Sequence, residues 1–432
     1  MANENKTNNA WESILKAHPD IVTTVKNGGV YEIAASEIKK FREPRLMTKH
    51  DTSKIVPKPL QDYGINVLPI SRSTYVLGDF KLFEPFPDVT DLKPALRSLP
   101  DFETLKTDSI TTESSAINAL IASGILDDFL GSENTVETFN GRMGAGDFDF
   151  SVDRKSGQSA YIHVHGAQLE IDGGFENQDA VIIMEAKNVL HDDFHVRQLY
   201  YPFRKYQSHI KKPIRLVFSQ YTDMTYYLYE YEFTEPDNYS SLSLLRKEAY
   251  TFEDTRITLS EIWKVWQNTP VKSTDNQAQT NVPFIQADRF DRVISLLERL
   301  SGADNNTMTT DEITQFMGTT QRQATYYPAA GEYLGLFERK RGRISLSARG
   351  KQIVKRGRRE RQLALIELMF EHEIFHRLFE SFYRSGSLPD IGVVEKTMLC
   401  LNVCNAGATV RRRAQSVLSW LRWIIATADN EY

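Results

Sequence analysis

The run Ala180-Val-Ile-Ile-Met184, followed at once by Glu185-Ala186-Lys187, constrains this chain more than any other stretch. Consecutive apolar residues that end in two charges read as a strand buried on both faces, opening into a polar site at its end. Side chains two apart in a strand share a face, so Glu185 and Lys187 emerge together while Ala186 turns away. Upstream, Asp172 ends a second strand-like run, Tyr161 to Ile171, just before Gly173-Gly174. A hairpin or short connection at those glycines brings its carboxylate beside Glu185. Two converging carboxylates hold a hard cation such as Mg2+, which prefers oxygen ligands and keeps several waters. An ammonium beside them can orient or activate one of those waters for attack on a phosphodiester.

At these positions, Leu169-Glu-Ile-Asp172-Gly-Gly-Phe-Glu176 and then Ile182-Ile-Met-Glu185-Ala-Lys187-Asn188, the chain resembles the PD-(D/E)XK nuclease superfamily, and within it Type II restriction endonucleases. The pattern is an acid, a variable gap, then (D/E)-x-K on the next strand. Ile171 stands where the superfamily's name has proline, a position that carries no chemistry. The resemblance implies Asp172 and Glu185 as Mg2+ ligands, Lys187 as the residue that positions or polarises the attacking water, and 5′-phosphate and 3′-hydroxyl products. It also implies that an acid on the preceding helix, Glu113, assists the metal, although a first-turn acid also stabilises a helix dipole. Gln198, on the amphipathic segment Val196 to Phe203, is similar to the glutamine that steadies the site in some members. The structural alternative for Glu185 and Lys187 is a surface ion pair on an ordinary strand.

Net charge at pH 7 is −5, which at first sight argues against nucleic acid. Its distribution argues the other way. Between Arg339 and Arg361 stand eleven Lys or Arg against one acid, Glu360, so a segment of +10 sits on a remainder of −15. Such asymmetry marks a phosphate-binding surface or, more blandly, a solvated helix face. Two cysteines, Cys400 and Cys404, cannot build a disulfide framework and read as core residues of a reducing, cytoplasmic compartment. The polar start has no signal-peptide character, and no apolar run is long enough to span a membrane.

A length of 432 residues accommodates several domains. Residues 1–104 mix short helices and strands broken by prolines; Phe41 to Lys49, with Arg42 and Arg45, is a basic loop-like segment placed either against DNA or between domains. Residues 105–270 read as the α/β mixed-sheet catalytic core, with a helix from Thr112 through Leu130 and strands at 136–139, 148–152, 161–171, 214–218 and 226–233. A polar linker spans 271–286. Residues 287–350 resemble a winged helix-turn-helix: Thr309 and Glu312 cap a second helix, Thr320 and Gln323 a third running to Leu334 with Pro328 inside it, and an Arg-Gly turn closes a hairpin wing. A recognition helix offers its N-terminal polar residues to base edges, which singles out Thr320, Gln321, Arg322 and Gln323, while Arg339, Lys340, Arg341 and Arg343 of the wing grip phosphate. Residues 351–432 are helical, with apolar stripes (Leu363 to Phe375; Val410 to Ile424) that serve a core or a dimer interface. His372-Glu373-Ile-Phe-His376 formally matches a zinc-protease motif, but it lies among core residues without a second protease feature, so it reads as structural.

Together these readings describe a Mg2+-dependent, sequence-specific endonuclease for double-stranded DNA, of restriction type. It acts as a homodimer and is partnered in the cell by a cognate DNA methyltransferase. A nuclease that cuts only methylated DNA and a non-catalytic DNA-binding regulator are the alternatives.

Overall fold

The Val181–Lys187 strand lies inside a seven-stranded mixed sheet in the computed structural model, which describes residues 2–89, 91–107, 110–253, 256–272, 283–404, 407 and 409–428. Across the sheet the order is Ala95–Leu96, Leu242–Thr251, Thr225–Phe233, Ile214–Thr222, Val181–Lys187, Gln168–Glu176 and Val136–Gly144. Val181–Lys187 runs parallel to Ile214–Thr222 and antiparallel to Gln168–Glu176. Its apolar residues divide between two faces, as strand periodicity requires. Ile182, Met184 and Ala186 pack under the helices Glu113–Ala122 and Ile125–Leu130. Ile183 packs on the other face, under the helix Arg197–Gln207 and a two-stranded ribbon, Asp147–Asp153 with Ser159–His165. Full burial of each such side chain contributes about 1.5–3 kcal/mol, which pins the register that presents Glu185 and Lys187.

Three elements depart from the sequence reading. The expected strand 161–171 is two strands, Ser159–His165 and Gln168–Glu176, broken at Gly166 with φ +65°. Gly173 and Gly174 make no turn. They lie within the second of these strands, where a Cβ would come within 2.6 Å of the Phe175 ring and 2.2 Å of the Phe139 ring, so glycine is needed for aromatic packing. The chain reverses instead at Asn177, whose side-chain oxygen accepts from the backbone N–H of Asp179 and of Ala180, both at 2.9 Å. The helix from Thr112 starts as expected, with the Thr112 hydroxyl accepting from Ser115 N–H, and then breaks at Gly124, φ +70°.

Residues before the sheet form their own small layer. Ala2–Ala17 and Asp20–Lys26 pack over a three-stranded sheet of Tyr31–Ala34, Thr74–Gly78 and Asn66–Pro69, around Trp11, Ile14, Leu60 and Val67. Phe83–Pro85 pairs with Asp193–His195 and Ala95–Leu96 joins the large sheet, so these two short strands tie the segment after the N-terminal layer to the large sheet and to Asp193–His195.

Beyond the sheet, after the helix Leu259–Asn268, the order is helix Phe290–Ser301, strand Thr307–Thr309, helices Thr310–Met317, Gln321–Ala324 and Tyr326–Tyr333, then the hairpin Phe337–Lys340 with Arg343–Leu346. The three strands form one sheet, and Arg341 and Gly342 turn the hairpin at φ +49° and +77°. Thr309 and Glu312 form the expected capping box. The expected third helix is split at Thr325, which puts Pro328 in the first turn of Tyr326–Tyr333, where its missing N–H costs nothing. Both C-terminal apolar stripes bury in one core with Phe290, Leu297 and Leu346, so they are core stripes. Of the expected linker, residues 273–282 lie outside the described residues. No helix among the described residues is long and apolar enough to cross a membrane.

His372 has extended backbone at the N-cap of Glu373–Ser385 and stacks on Tyr333 with ring centroids 3.8 Å apart. His376 stacks on Trp266 at 4.5 Å. The two rings are therefore packed against different aromatic partners.

Candidate active site

The antiparallel register sets Gly173 opposite Met184, so Asp172 and Glu185 come next in line at the carboxyl end of the apolar strand. Asp172 Oδ2 accepts the Ala186 N–H at 3.0 Å, a bond that fixes its carboxylate across the strand pair. Lys187 folds back over this group. Its Nζ donates to Glu185 Oε1 at 2.7 Å and to the Ala186 carbonyl at 2.8 Å. Glu113 Oε1 and Asp172 Oδ2 lie 3.4 and 3.5 Å from the same nitrogen. Glu113 arrives from the first turn of the Glu113–Ala122 helix, so two layers of the protein meet at Lys187. From the opposite face Gln198, on Arg197–Gln207, donates its amide N–H to Glu185 Oε1. Sequence reasoning named all five residues, and the structure brings all five together.

Burial decides the electrostatics. Lys187 and Glu185 are 14% and 8% exposed, Asp172 20%. Burial pushes the Glu185 carboxyl well above the usual carboxylate range, and repulsion from Asp172 adds to it. Burial alone would lower the Lys187 ammonium, but Glu185, Asp172, Glu113 and Asp51 together outweigh it and hold it well above the ordinary lysine value. Desolvation in the same crowded cleft raises Glu113, again with Asp172 adding. Three carboxylates thus share one ammonium, leaving negative charge that a divalent cation would balance.

The donor set suits such an ion. Every group turned towards Lys187 Nζ is an oxygen, and Gln198 Oε1 is buried without a hydrogen-bond partner. Hard cations such as Mg2+ take oxygen ligands of this kind. The fit is one of chemistry and charge rather than of a finished cage. Among the described residues no three His, Cys, Asp or Glu side chains are grouped to hold an ion, because Lys187 stands between the carboxylates.

Residues that sequence reasoning passed over surround this centre. Asn188 follows Lys187 directly, and both its side-chain amide atoms are buried without a hydrogen-bond partner, as is Nδ1 of the buried His191. Asp51 reaches the neighbourhood from the N-terminal layer, its carbonyl accepting the His195 N–H at 3.0 Å. Gln220, buried behind the site, accepts the Tyr229 hydroxyl at 2.9 Å. Of these only Asn188 carries a local signal, its place beside the Glu-x-Lys triplet.

The expected DNA-contact residues fare unevenly. Arg339, Lys340, Arg341 and Arg343 are exposed on the hairpin. Arg339 Nε donates to Glu332 at 3.0 Å and Arg343 Nε to Thr307 at 3.1 Å. Arg322 and Gln323 are exposed; Gln321 is not. Gln321 is buried and donates its amide to Asp311 at 2.8 Å, so it props the helix instead of facing a base. Thr320 is spent as a cap, its hydroxyl accepting the Gln323 N–H. Nor is the basic run 339–361 one free surface. Arg361, 2% exposed, binds Asp223 and Glu298 at 2.9 Å each, Arg358 binds Asp223 at 3.1 Å, and Arg359 binds Glu261. In the N-terminal layer, Arg42 donates to Thr7 at 2.7 Å and Lys49 stands 3.6 Å from Asp51.

Three family models match the chain, each described as a domain of unknown function: DUF6996 over residues 8–77, DUF6997 over residues 78–251 and DUF7226 over residues 292–429. The middle match contains Asp172, Glu185, Lys187, Glu113 and Gln198. No curated protein and no solved structure matches the chain.

Proposed function

We propose that this chain is a Mg2+-dependent, sequence-specific endonuclease of restriction type that cuts double-stranded DNA. The observation that carries the reading is the convergence of Asp172, Glu185 and Lys187 at the end of two paired strands, with Glu113 and Gln198 closing on the same atoms. The surrounding mixed sheet, with helices on both faces, supports a restriction-endonuclease-like core. Asp172 and Glu185 would hold the metal, with Glu113 beside them. When bound, the ion polarises a phosphoryl oxygen and makes a water more acidic.

The chain's own residues do the rest. Ala186 N–H and Gln198 fix the carboxylates of Asp172 and Glu185 so that neither must reorganise during reaction. Lys187, held charged by its neighbours, donates hydrogen bonds and does not take a proton near neutral pH. It orients the attacking water and stabilises the charge that develops on phosphorus-bound oxygen. The attacking water gives up a proton to bulk solvent as its oxygen bonds to phosphorus, the bond to the 3′ oxygen breaks, and that oxygen takes a proton from solvent, leaving a 3′ hydroxyl and phosphate on the 5′ end.

The helix-strand-helix-helix-hairpin order of residues 290–346 supports a winged helix-turn-helix, in which Arg322 and Gln323 reach base edges and the hairpin arginines hold phosphate. One centre per chain cuts one strand, so double-strand cleavage calls for two copies acting together. A host carrying such an enzyme needs a cognate methyltransferase to protect its own sites. The test is to incubate the protein with unmodified and methylated phage DNA, with and without Mg2+, and resolve the products on a gel. Discrete fragments from unmodified DNA only with Mg2+ support the reading; fragments from methylated DNA alone move it to a methylation-dependent enzyme.

A further inference from the structure

We infer that the cavity between the N-terminal layer and the Asp147–Asp153/Ser159–His165 ribbon is a nucleotide site, taking one nucleoside monophosphate whose base carries an amino group. The cavity measures about 350 Å3 and opens to solvent. Val56 and Gln61 line it from the Lys58–Asp62 helix and the residues before it, Ile65 and Asn66 from the start of the Asn66–Pro69 strand, and Phe80 to Phe83 from the stretch after Thr74–Gly78. Lys155 reaches it from the turn of the ribbon. Val56, Ile65, Phe80 and Leu82 are buried and form an apolar floor, and Phe83 offers a half-buried ring for stacking. Ligand pockets run from roughly 300 to 1,000 Å3 and are mostly apolar with a few placed polar groups, so this one suits a single base with its sugar and is too small for a dinucleotide.

The polar groups on the lining say which ligand. Asn66, 5% exposed, donates its amide to the Phe80 carbonyl at 2.7 Å, which fixes the side chain and leaves Oδ1 an unpaired acceptor among the described residues. Gln61 donates to the Val56 carbonyl at 2.7 Å and keeps Oε1 in the same state. Two acceptors call for a donor, which the amino groups of adenine, cytosine and guanine supply and thymine does not. At the rim stand two exposed ammonium groups. Lys81 makes no ion pair among the described residues, and Lys155 Nζ donates to the Gly64 carbonyl at 3.1 Å. Burial lowers the Lys155 ammonium against the pull of Asp79, whose carboxylate is engaged by Arg154 and by the Ser156 N–H. Such a pair favours an anion, and a phosphate on the sugar of a bound base provides one. The site shares no lining residue with the Lys187 centre and does not rest on the reading of that centre.

The experiment is calorimetric titration of the full chain, in EDTA, with dAMP, dCMP, dTMP, deoxyadenosine and inorganic phosphate. A fluorescence titration with an oligonucleotide carrying 2-aminopurine runs beside it. One dAMP or dCMP per chain is expected, with dTMP, deoxyadenosine and phosphate each at least about tenfold weaker because each lacks one set of contacts. Lys81→Ala and Lys155→Ala should each weaken dAMP by about tenfold or more, the loss of a charged hydrogen bond. Gln61→Trp, which fills the mouth from an exposed position, should abolish binding, and Lys187→Ala should bind as wild type does. Circular dichroism checks the fold of all four variants. A rise in 2-aminopurine fluorescence that Gln61→Trp removes identifies a nucleotide turned out of DNA as the occupant; dAMP binding without that rise identifies a free nucleotide. No response in either titration, or binding unchanged in Gln61→Trp and in both lysine variants, overturns the inference.

Discussion

Lys187 is the side chain on which sequence, packing and chemistry meet. Its ammonium neutralises one of three crowded carboxylates, while burial, with repulsion from Asp172 adding, raises the Glu185 carboxyl. Asp172→Ala, Glu185→Ala and Lys187→Ala should each lower cleavage by about 10^3-fold or more, since the proposed mechanism places each group at the reacting centre. Gln198→Ala, one step removed, should cost about 10–100-fold. Glu185→Gln relieves a buried like-charge contact, so its Tm should equal or exceed wild type while activity vanishes; a marked fall in Tm would reassign Glu185 to a structural role. A second residue-scale prediction concerns pH. Burial lowers His191 to about 3, with Arg292 and Lys187 adding, and lowers His50 to about 4 against the pull of Asp51. Both values lie below the unfolded value of about 6.5, so the unfolded chain takes up protons first as pH falls. Stability is full above about pH 6.5 and declines below it by about 1.4 kcal/mol per pH unit for each histidine, until each folded value is reached. Urea unfolding between pH 7 and 5 should show the decline, and His191→Asn should make it shallower; an unchanged slope in that variant would remove His191 from the account. The convergence of Asp172, Glu185 and Lys187 was legible because period-two spacing and an apolar strand are local signals. Asp51 and Gln220 were not, because only tertiary structure brings them near.

At the scale of elements, the hairpin and the helices before it carry the proposed DNA contacts. Arg341 and Arg343 lie on the hairpin, where phosphate contacts act without regard to sequence. Replacing both with Ala should weaken binding to all duplexes alike and reduce the log-log salt slope by roughly 0.9 per lost contact. Arg322→Ala should instead cost discrimination, by about 1–3 kcal/mol between cognate and non-cognate sites, with a nearly unchanged slope. Competition titrations at several salt concentrations separate the two. Equal losses on both kinds of site in Arg322→Ala would move base reading elsewhere. Buried Gln321 belongs to stability, so Gln321→Ala should lower Tm more than specificity. Sequence patterns found these elements where caps and turn residues spoke, as at Thr309, Thr320 and Gly342. They missed Leu242–Thr251, whose Leu, Arg, Lys, Glu and Ala favour helix and which is a strand because Thr225–Phe233 pairs along its length. They misplaced the turn after Asp172 because glycine there serves ring packing, which no local pattern reports.

Across the whole molecule the layers are tied by ion pairs and hydrogen bonds. Asp192, just past the Val181–Lys187 strand, binds Lys54 of the N-terminal layer as well as Arg289 and Arg292 of the C-terminal part, the latter two at 2.9 and 3.1 Å. Thr52 donates to the Gly318 carbonyl at 2.6 Å. Just past the end of the neighbouring Ile214–Thr222 strand, the turn residue Asp223 (φ +50°) holds Arg358, Arg361 and Gln362. Asp223→Ala should cost about 3 kcal/mol, the low end for breaking a buried pair, because Arg361 keeps Glu298. A loss under about 1 kcal/mol in urea unfolding would show that this tie does not hold the layers together. None of these ties was legible in the sequence, where the basic run 339–361 looked like a single surface. The account as a whole rests on catalysis by one centre, and the most direct test is a plasmid cleavage assay of wild type and Lys187→Ala over a Mg2+ titration. Wild type should yield discrete linear fragments with 5′-phosphate ends that depend on Mg2+, and Lys187→Ala should yield none while still binding DNA. Cleavage by Lys187→Ala at the wild-type rate, or none by wild type on any unmodified or methylated DNA, would contradict the account.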